Sequence, residues 1–188
     1  MTPGTTQRRA SIIHGYGASP EDHWFGWLAE QLEANGIPTT IPALPNSQSP
    51  DPAQWAEAVR ADVGIPHANS AIVAHSLGCL TVLRHLCSLP DGWHLGTLVL
   101  VAGFVDQLPA LPELNSFVAD GCDVERLSDH IGRITVIRSD ADPYVPPGHT
   151  DRLARLLGSP AEVVPGAGHF LASDGVTSLR EVLEAIMS

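Results

Sequence analysis

The chain has 188 residues, a length that suits one domain of about 100–200 residues. Hydrophobic residues make up 44% of it and charged residues 16%, proportions that exclude a disordered chain and a coiled coil. Ten Lys and Arg against 21 Asp and Glu give a net charge of −11, so neither nucleic acid nor an anionic membrane surface is an expected partner.

The amino-terminal residues predict a short tail rather than a targeting signal. Residues 1–9 are polar and are expected to form a flexible segment ahead of a single domain over 10–188. The apolar run at 10–14 is too short for a signal-peptide core or a membrane span. The chain is therefore expected to be cytoplasmic.

In the first half of the chain, short β-branched runs alternate with longer segments of helical spacing. A proline-rich stretch at 42–52 predicts an extended, irregular loop. Strands are predicted at 10–14, 37–41 and 71–74, and helices at 23–35, 53–63 and 77–87.

The second half continues the alternation after an apolar run at 97–102 that is typical of a central parallel strand. Further strands are predicted at 134–137 and 161–164, helices at 123–131, 148–157 and 173–187, and irregular structure at 105–122. Six strands interleaved with helices indicate an α/β fold, a mainly parallel sheet covered on both faces. Ligands bind such sheets outside the carboxyl ends of the strands.

Three cysteines occur in the chain, at Cys79, Cys87 and Cys122. An odd number cannot pair completely within one chain, and none of the three forms a C-x-x-C spacing. We expect reduced, mostly buried thiols, as is usual in the cytoplasm.

A candidate nucleophile, Ser76, lies between a predicted strand and a predicted buried helix. The motif at 74–78 (AHSLG) matches the G-x-S-x-G nucleophile elbow, with Ala74 in place of the first glycine. Small residues at Ala74 and Gly78 allow the tight turn that exposes the hydroxyl. The alternative interpretation is a serine that caps the helix.

A serine hydroxyl needs a general base, and His169 is the candidate. Of nine histidines, only His169 lies between the last predicted strand and the last predicted helix. Gly166 and Gly168 suit a loop that folds back over the sheet edge. The alternative is an ordinary surface histidine.

The acid that would orient the base has three candidates, Asp142, Asp140 and Asp106. Asp140 and Asp142 both follow the strand predicted at 134–137. Asp142 is preferred because the Pro-Tyr-Val-Pro run after it restrains the loop, whereas Asp140 is better suited to capping the turn. The order Ser, Asp, His along the chain is the one seen in α/β-hydrolases.

An oxyanion formed at Ser76 needs hydrogen-bond donors, and two backbone N–H groups are expected to supply them. The first is that of Leu77, at the start of the helix. The second is that of Tyr16, in a glycine-containing loop at 14–18 after the first strand. Aromatic candidates for the substrate pocket are Trp24, Phe117 and Tyr144.

No cofactor and no metal is expected. His14, His23 and the acidic pair at 21–22 lack the spacing of known zinc motifs. The glycines at 15 and 17 do not complete a dinucleotide-binding fingerprint.

Several motifs together resemble the compact serine hydrolases of the YdeN and retinoblastoma-binding protein nine family. The resemblance extends over about residues 11–182. The motifs that carry it are 14–19 (HGYGAS), 23–28 (HWFGWL), 74–78 (AHSLG), 140–146 (DADPYVP) and 166–170 (GAGHF).

This resemblance implies a minimal, lidless α/β-hydrolase fold with Ser76 as nucleophile, Asp142 as acid and His169 as base. Larger relatives insert a lid where this chain has only 105–122. The implied reaction is hydrolysis of a small carboxylic ester or amide. Two alternatives remain: a non-catalytic or weakly catalytic protein-binding member of the fold, for which a protein partner is possible but not indicated, and an acyltransferase or perhydrolase.

Overall fold

A computed structural model describes residues 7–188, and six strands form its single sheet. All six predicted strands are confirmed, with small differences at their ends. The strands are β1 (Arg9–Ile13), β2 (Thr39–Thr40), β3 (Ser70–His75), β4 (Leu95–Val101), β5 (Ile131–Ser139) and β6 (Ala161–Val164). The helices are α1 (Phe25–Ala34), α2 (Pro52–Val63), α3 (Leu77–Ser88), α4 (Asn115–Val118), α5 (Pro147–Leu156) and α6 (Arg180–Met187).

The strand order is β2-β1-β3-β4-β5-β6, and every neighbouring pair is parallel. The innermost strands, β3 and β4, are apolar along most of their length because helices cover both faces of the sheet. All the carboxyl ends therefore lie along one edge, where the loops carrying the candidate site residues emerge.

Two apolar layers hold the helices against the sheet. On one face, α2, α3 and α5 pack with the segment after β4, around Trp55, Leu80 and Phe104. On the other face, α1 and α6 pack around Trp24 and Phe25. The helix predicted to be buried, α3, contributes nine buried residues, as its nearly continuous apolar sequence indicates.

Two predicted helices are wrong in extent. The helix predicted at 123–131 is a loop followed by a 3₁₀ turn at Leu127–His130, which leads directly into β5. The Asp123 carboxylate accepts a hydrogen bond from Glu125 N at 3.2 Å, a local bond that competes with helix formation. The last helix begins at Arg180 instead of residue 173, after a 3₁₀ turn at Ala172–Asp174.

The segment predicted to be flexible, residues 1–9, lies partly outside the described residues, which begin at residue 7. Arg9 is the first residue of β1, and its guanidinium donates to the Val63 carbonyl at 2.8 Å. Within residues 7–188, no helix combines the length and the apolar character needed to cross a bilayer.

Candidate active site

Ser76 lies at the turn between β3 and α3, with a φ of 53° that non-glycine residues seldom adopt. Its backbone N–H donates to the Val101 carbonyl at 2.9 Å, which ties the turn to β4. A Cβ at Gly78 would clash with the His14 carbonyl, and one at Gly15 would lie 2.9 Å from Ser76 Cβ. The turn therefore requires glycine at both positions.

Three side chains from separate loops form a hydrogen-bonded chain at the carboxyl edge of the sheet. His169 Nδ1 lies 2.7 Å from Asp142 Oδ2, and His169 Nε2 lies 2.9 Å from Ser76 Oγ. Because a carboxylate only accepts, Nδ1 carries the proton of a neutral ring, and Nε2 then accepts from the serine hydroxyl. The Asp142 side chain is 3% exposed and the His169 side chain is 8% exposed, so water screens the interactions among the three side chains weakly.

The three candidate acids occupy different environments. Asp142 reaches His169, and its second oxygen accepts from Tyr144 N and Val145 N, each at 2.9 Å. Asp140 instead accepts from Gly166 N at 2.7 Å, bracing the loop that carries the histidine. Asp106 pairs with Arg152 at 2.8 Å on the surface.

Two residues that the sequence analysis did not select hold the backbone of His169 in place. Asp174 Oδ2 accepts from His169 N at 2.8 Å and from Leu171 N at 3.1 Å. His75 Nε2 lies 2.9 Å from the His169 carbonyl, and since a carbonyl only accepts, His75 is the donor. The sequence signals for these two residues were weak. Asp174 is an acidic residue in the loop after His169, and His75 is a second histidine, directly before Ser76.

Three histidines with lowered pKa values lie around this site: His14 and His75 are buried, and His23 is half-buried. Desolvation lowers the pKa of His75 well below its ordinary value of 6.5, because the ring is completely enclosed. Desolvation also lowers the pKa of His14 and of His23. Each of these two rings accepts a backbone hydrogen bond that requires an unprotonated nitrogen, from Leu44 N at 2.9 Å and from Ala172 N at 3.0 Å.

These neutral histidines predict a pH-dependent stability. The unfolded chain takes up protons near pH 6.5, where the folded chain resists them, so stability is complete above that pH and falls below it. We expect the free energy of unfolding to be at least about 1 kcal/mol lower at about pH 5.5 than at about pH 7.5. Urea unfolding at the two pH values measures this difference.

A pair of substitutions away from the site provides the control. Burial also lowers the pKa of His85, whose Nε2 lies 2.8 Å from the Gly64 carbonyl, whereas His94 is exposed. His85→Gln should reduce the loss of stability at acid pH, and His94→Gln should leave it unchanged. Equal stability at both pH values in the unsubstituted protein would contradict the prediction.

The two predicted oxyanion donors belong to adjacent parts of the backbone. Leu77 is the first residue of α3, directly after Ser76. Tyr16 follows Gly15, which packs so closely on the turn that a Cβ there would lie 3.5 Å from Leu77 N. The loop after β1 therefore packs against the turn that carries Ser76.

The three aromatic pocket candidates lie in different places. The prediction for Trp24 is wrong, because its side chain is fully buried in the core, in edge-to-face contact with Phe25. Phe117 lines a cleft of about 190 Å³ together with Tyr16. Tyr144 is 40% exposed, and its ring contacts that of His169 edge-on, with the centroids 5.3 Å apart.

Comparison with known proteins identifies the family, since a model described as serine hydrolase matches residues 10–188. The chain belongs to the serine hydrolase family. It is 35% identical to YdeN of Bacillus subtilis over 181 residues, which cover 96% of this chain and 95% of that protein. The crystal structure of the ydeN gene product matches with a TM-score of 0.90, over 96% of this chain and 98% of that one.

Solved structures of lower identity share the fold. Est1E from Butyrivibrio proteoclasticus is 17% identical, with a TM-score of 0.66 over 99% of this chain and 92% of that one. The serine hydrolase without lid XC6422 from Xanthomonas campestris is 18% identical, with a TM-score of 0.56 over 98% of this chain and 82% of that one. The predicted lidless α/β-hydrolase fold and the family resemblance are thus confirmed.

Proposed function

We propose that this serine hydrolase cleaves a small carboxylic ester or amide through an acyl-enzyme on Ser76. The observation that carries the proposal is the chain of hydrogen bonds from Asp142 through His169 to Ser76, with distances of 2.7 and 2.9 Å. A serine hydroxyl becomes a useful nucleophile only when a base takes its proton as it attacks, and this geometry provides that base.

In the first half of the reaction, His169 Nε2 takes the proton of Ser76 as Oγ forms a bond to the substrate carbonyl carbon. The N–H groups of Leu77 and Tyr16 donate hydrogen bonds to the negative charge that develops on the carbonyl oxygen. Asp142 stabilises the imidazolium that results and remains ionised. The imidazolium then protonates the departing alkoxide or amine nitrogen, the bond to the leaving group breaks, and the acyl group remains on Ser76.

In the second half, water takes the place of the leaving group. His169 removes a proton from the water molecule as its oxygen attacks the acyl carbon, and the same two N–H groups stabilise the second oxyanion. The imidazolium returns the proton to Ser76 Oγ, which releases the carboxylic acid and regenerates the free enzyme.

A small substrate is supported by the low exposure of the proposed nucleophile. Ser76 is 4% exposed, so a slender acyl group reaches it more readily than a bulky one. Among short-chain and long-chain 4-nitrophenyl esters, we expect the short-chain esters to be the better substrates.

The proposal is tested by covalent labelling with a fluorophosphonate probe, which reacts with activated serines. We expect the unsubstituted protein to be labelled at one site, identified by peptide mass spectrometry as Ser76, and Ser76→Ala to remain unlabelled. Ser88→Ala serves as the matched control, because Ser88 lies at the opposite end of α3 and bonds only to its own helix.

The outcomes separate the enzyme from its alternatives. Labelling of the Ser88→Ala variant should equal that of the unsubstituted protein. A folded protein that the probe does not label would contradict the proposal and favour a binding role for the fold. Labelling together with acyl transfer to an added alcohol in preference to water would assign the enzyme to acyl transfer instead of hydrolysis.

A further inference from the structure

Two cysteines lie in contact near the carboxyl end of α3, whereas Ser76 lies at its amino end. Cys87 is in the last turn of α3, and Cys122 follows α4 in the segment after β4; their Sγ atoms are 3.3 Å apart. Cys87 is exposed and Cys122 partly exposed, so the expectation of mostly buried thiols holds only for Cys79. Thirty-five positions separate the pair in the sequence, so the fold alone brings them together.

A half-buried arginine beside the cysteines keeps them close. Arg84, one turn before Cys87 on α3, donates to the Phe117 carbonyl at 2.8 Å and to the Val118 carbonyl at 2.7 Å. It also reaches the Gly121 carbonyl at 3.3 Å, next to Cys122. Arg84 therefore holds the segment that carries Cys122 against the helix that carries Cys87, and the short distance between the sulfur atoms follows from several contacts.

The two thiols have different charged neighbours. The hydrogen bond between the two sulfur atoms, together with the positive charge of Arg84, lowers the pKa of Cys122. The same bond and partial burial raise the pKa of Cys87. The negative charge of Asp123 raises the pKa of both thiols. The Asp123 backbone carbonyl accepts a hydrogen bond from Cys87 Sγ at 3.2 Å. Because Arg84 bonds to the Gly121 carbonyl, next to Cys122, its positive charge favours Cys122 as the attacking thiolate and leaves Cys87 as the thiol that resolves the adduct.

We propose that Cys87 and Cys122 form a reversible disulfide by exchange with a small-molecule disulfide of the glutathione type. The Cys122 thiolate attacks one sulfur of the oxidant, forms a mixed disulfide and releases one glutathione thiolate. Cys87 then loses its proton and attacks Cys122 Sγ, which forms the internal disulfide and releases the second glutathione thiolate. Both cysteines are oxidised by one electron each, and the oxidant is reduced to two thiols.

The position of this disulfide links it to the cleft that Tyr16 and Phe117 line. The Sγ atoms need to approach by little more than 1 Å to reach the bonded separation of about 2.05 Å. The bond would fasten to α3 the segment that contributes Leu114 and Phe117 to the cleft. It would also close a loop of 35 residues, which restricts the unfolded chain more than the folded one. Oxidation is therefore expected to stabilise the protein.

The test compares the reduced protein with the protein incubated in excess glutathione disulfide. We expect oxidation to remove two hydrogen atoms, to leave only Cys79 reactive toward iodoacetamide after unfolding, and to give a linked Cys87–Cys122 peptide. The melting temperature should rise by about 5–15 °C and return after treatment with dithiothreitol.

Single substitutions examine the order of the two steps. Cys87→Ser should accumulate a stable glutathione adduct on Cys122, because the resolving thiol is missing. Cys122→Ser should react with the oxidant at least tenfold more slowly, at Cys87. The proposal is overturned if both thiols remain open to alkylation after oxidation, or if the linked protein melts at the same or a lower temperature. Faster reaction of Cys122→Ser than of Cys87→Ser would reverse the proposed roles.

Discussion

Asp142→Asn is expected to lower kcat/KM on 4-nitrophenyl acetate by about 10⁴-fold. Asparagine is nearly isosteric and keeps an oxygen for Tyr144 N and Val145 N, so the loop should remain folded. Its amide removes the negative charge that faces His169 Nδ1 and favours the wrong tautomer of the ring. Initial rates, together with a thermal melt of each variant, separate the loss of activity from any loss of fold.

Asp140→Asn is the matched control, two residues away on the same loop. Its side chain bonds to Gly166 N and does not reach His169, and asparagine can still accept that bond. We expect kcat/KM to stay within about threefold of that of the unsubstituted enzyme. If Asp140→Asn caused the larger loss, the assignment of the acid to Asp142 would be wrong.

Gly78→Ala is expected to cost about 3 kcal/mol of folding free energy, a large value for the addition of one methyl group. The added Cβ would clash with the His14 carbonyl and lie 2.8 Å from the Ile13 carbonyl. Both obstacles are backbone atoms at the end of β1, so no side chain can rotate away. The amino-terminal end of α3 would have to move off the sheet, and Ser76 with it.

Gly26→Ala provides a control of the opposite sign, measured by the same urea unfolding experiment. Gly26 lies in α1, and no atom stands within 4 Å of the position its Cβ would take. Alanine there should stabilise the protein by about 0.5–1 kcal/mol, because it restricts the unfolded chain and favours the helix. Comparable effects of the two substitutions would show that close packing at Gly78 is not the cause.

The six strands could be predicted from the sequence because each is a short apolar run bounded by turn residues. Strands β3 and β4 carry the clearest signal, since burial on both faces leaves little room for polar residues. The helix at 123–131 was predicted wrongly because local bonds of Asp123 compete with helical ones, and the pattern of apolar residues does not record that competition.

The start of the last helix was missed for a related reason. Asp174 lies within the predicted helix at 173–187, yet its carboxylate accepts from His169 N and Leu171 N. Gly175, with a φ of 82°, then ends the 3₁₀ turn. A requirement of the histidine loop thus overrides helix propensity for several residues, and only the folded loop reveals that requirement.

The amino-acid order alone was sufficient to place Ser76, Asp142 and His169 after three strands of one sheet, because parallel strands bring their carboxyl ends to one edge whatever the details of packing. Which atoms of these residues contact one another could be seen only in the folded structure. Ser76 and His169 are 93 residues apart and Asp142 and His169 are 27 apart, so their distances depend on the summed geometry of every element between them. The same holds for the contact between Cys87 and Cys122 and for the burial of Trp24, since neither is encoded in local spacing.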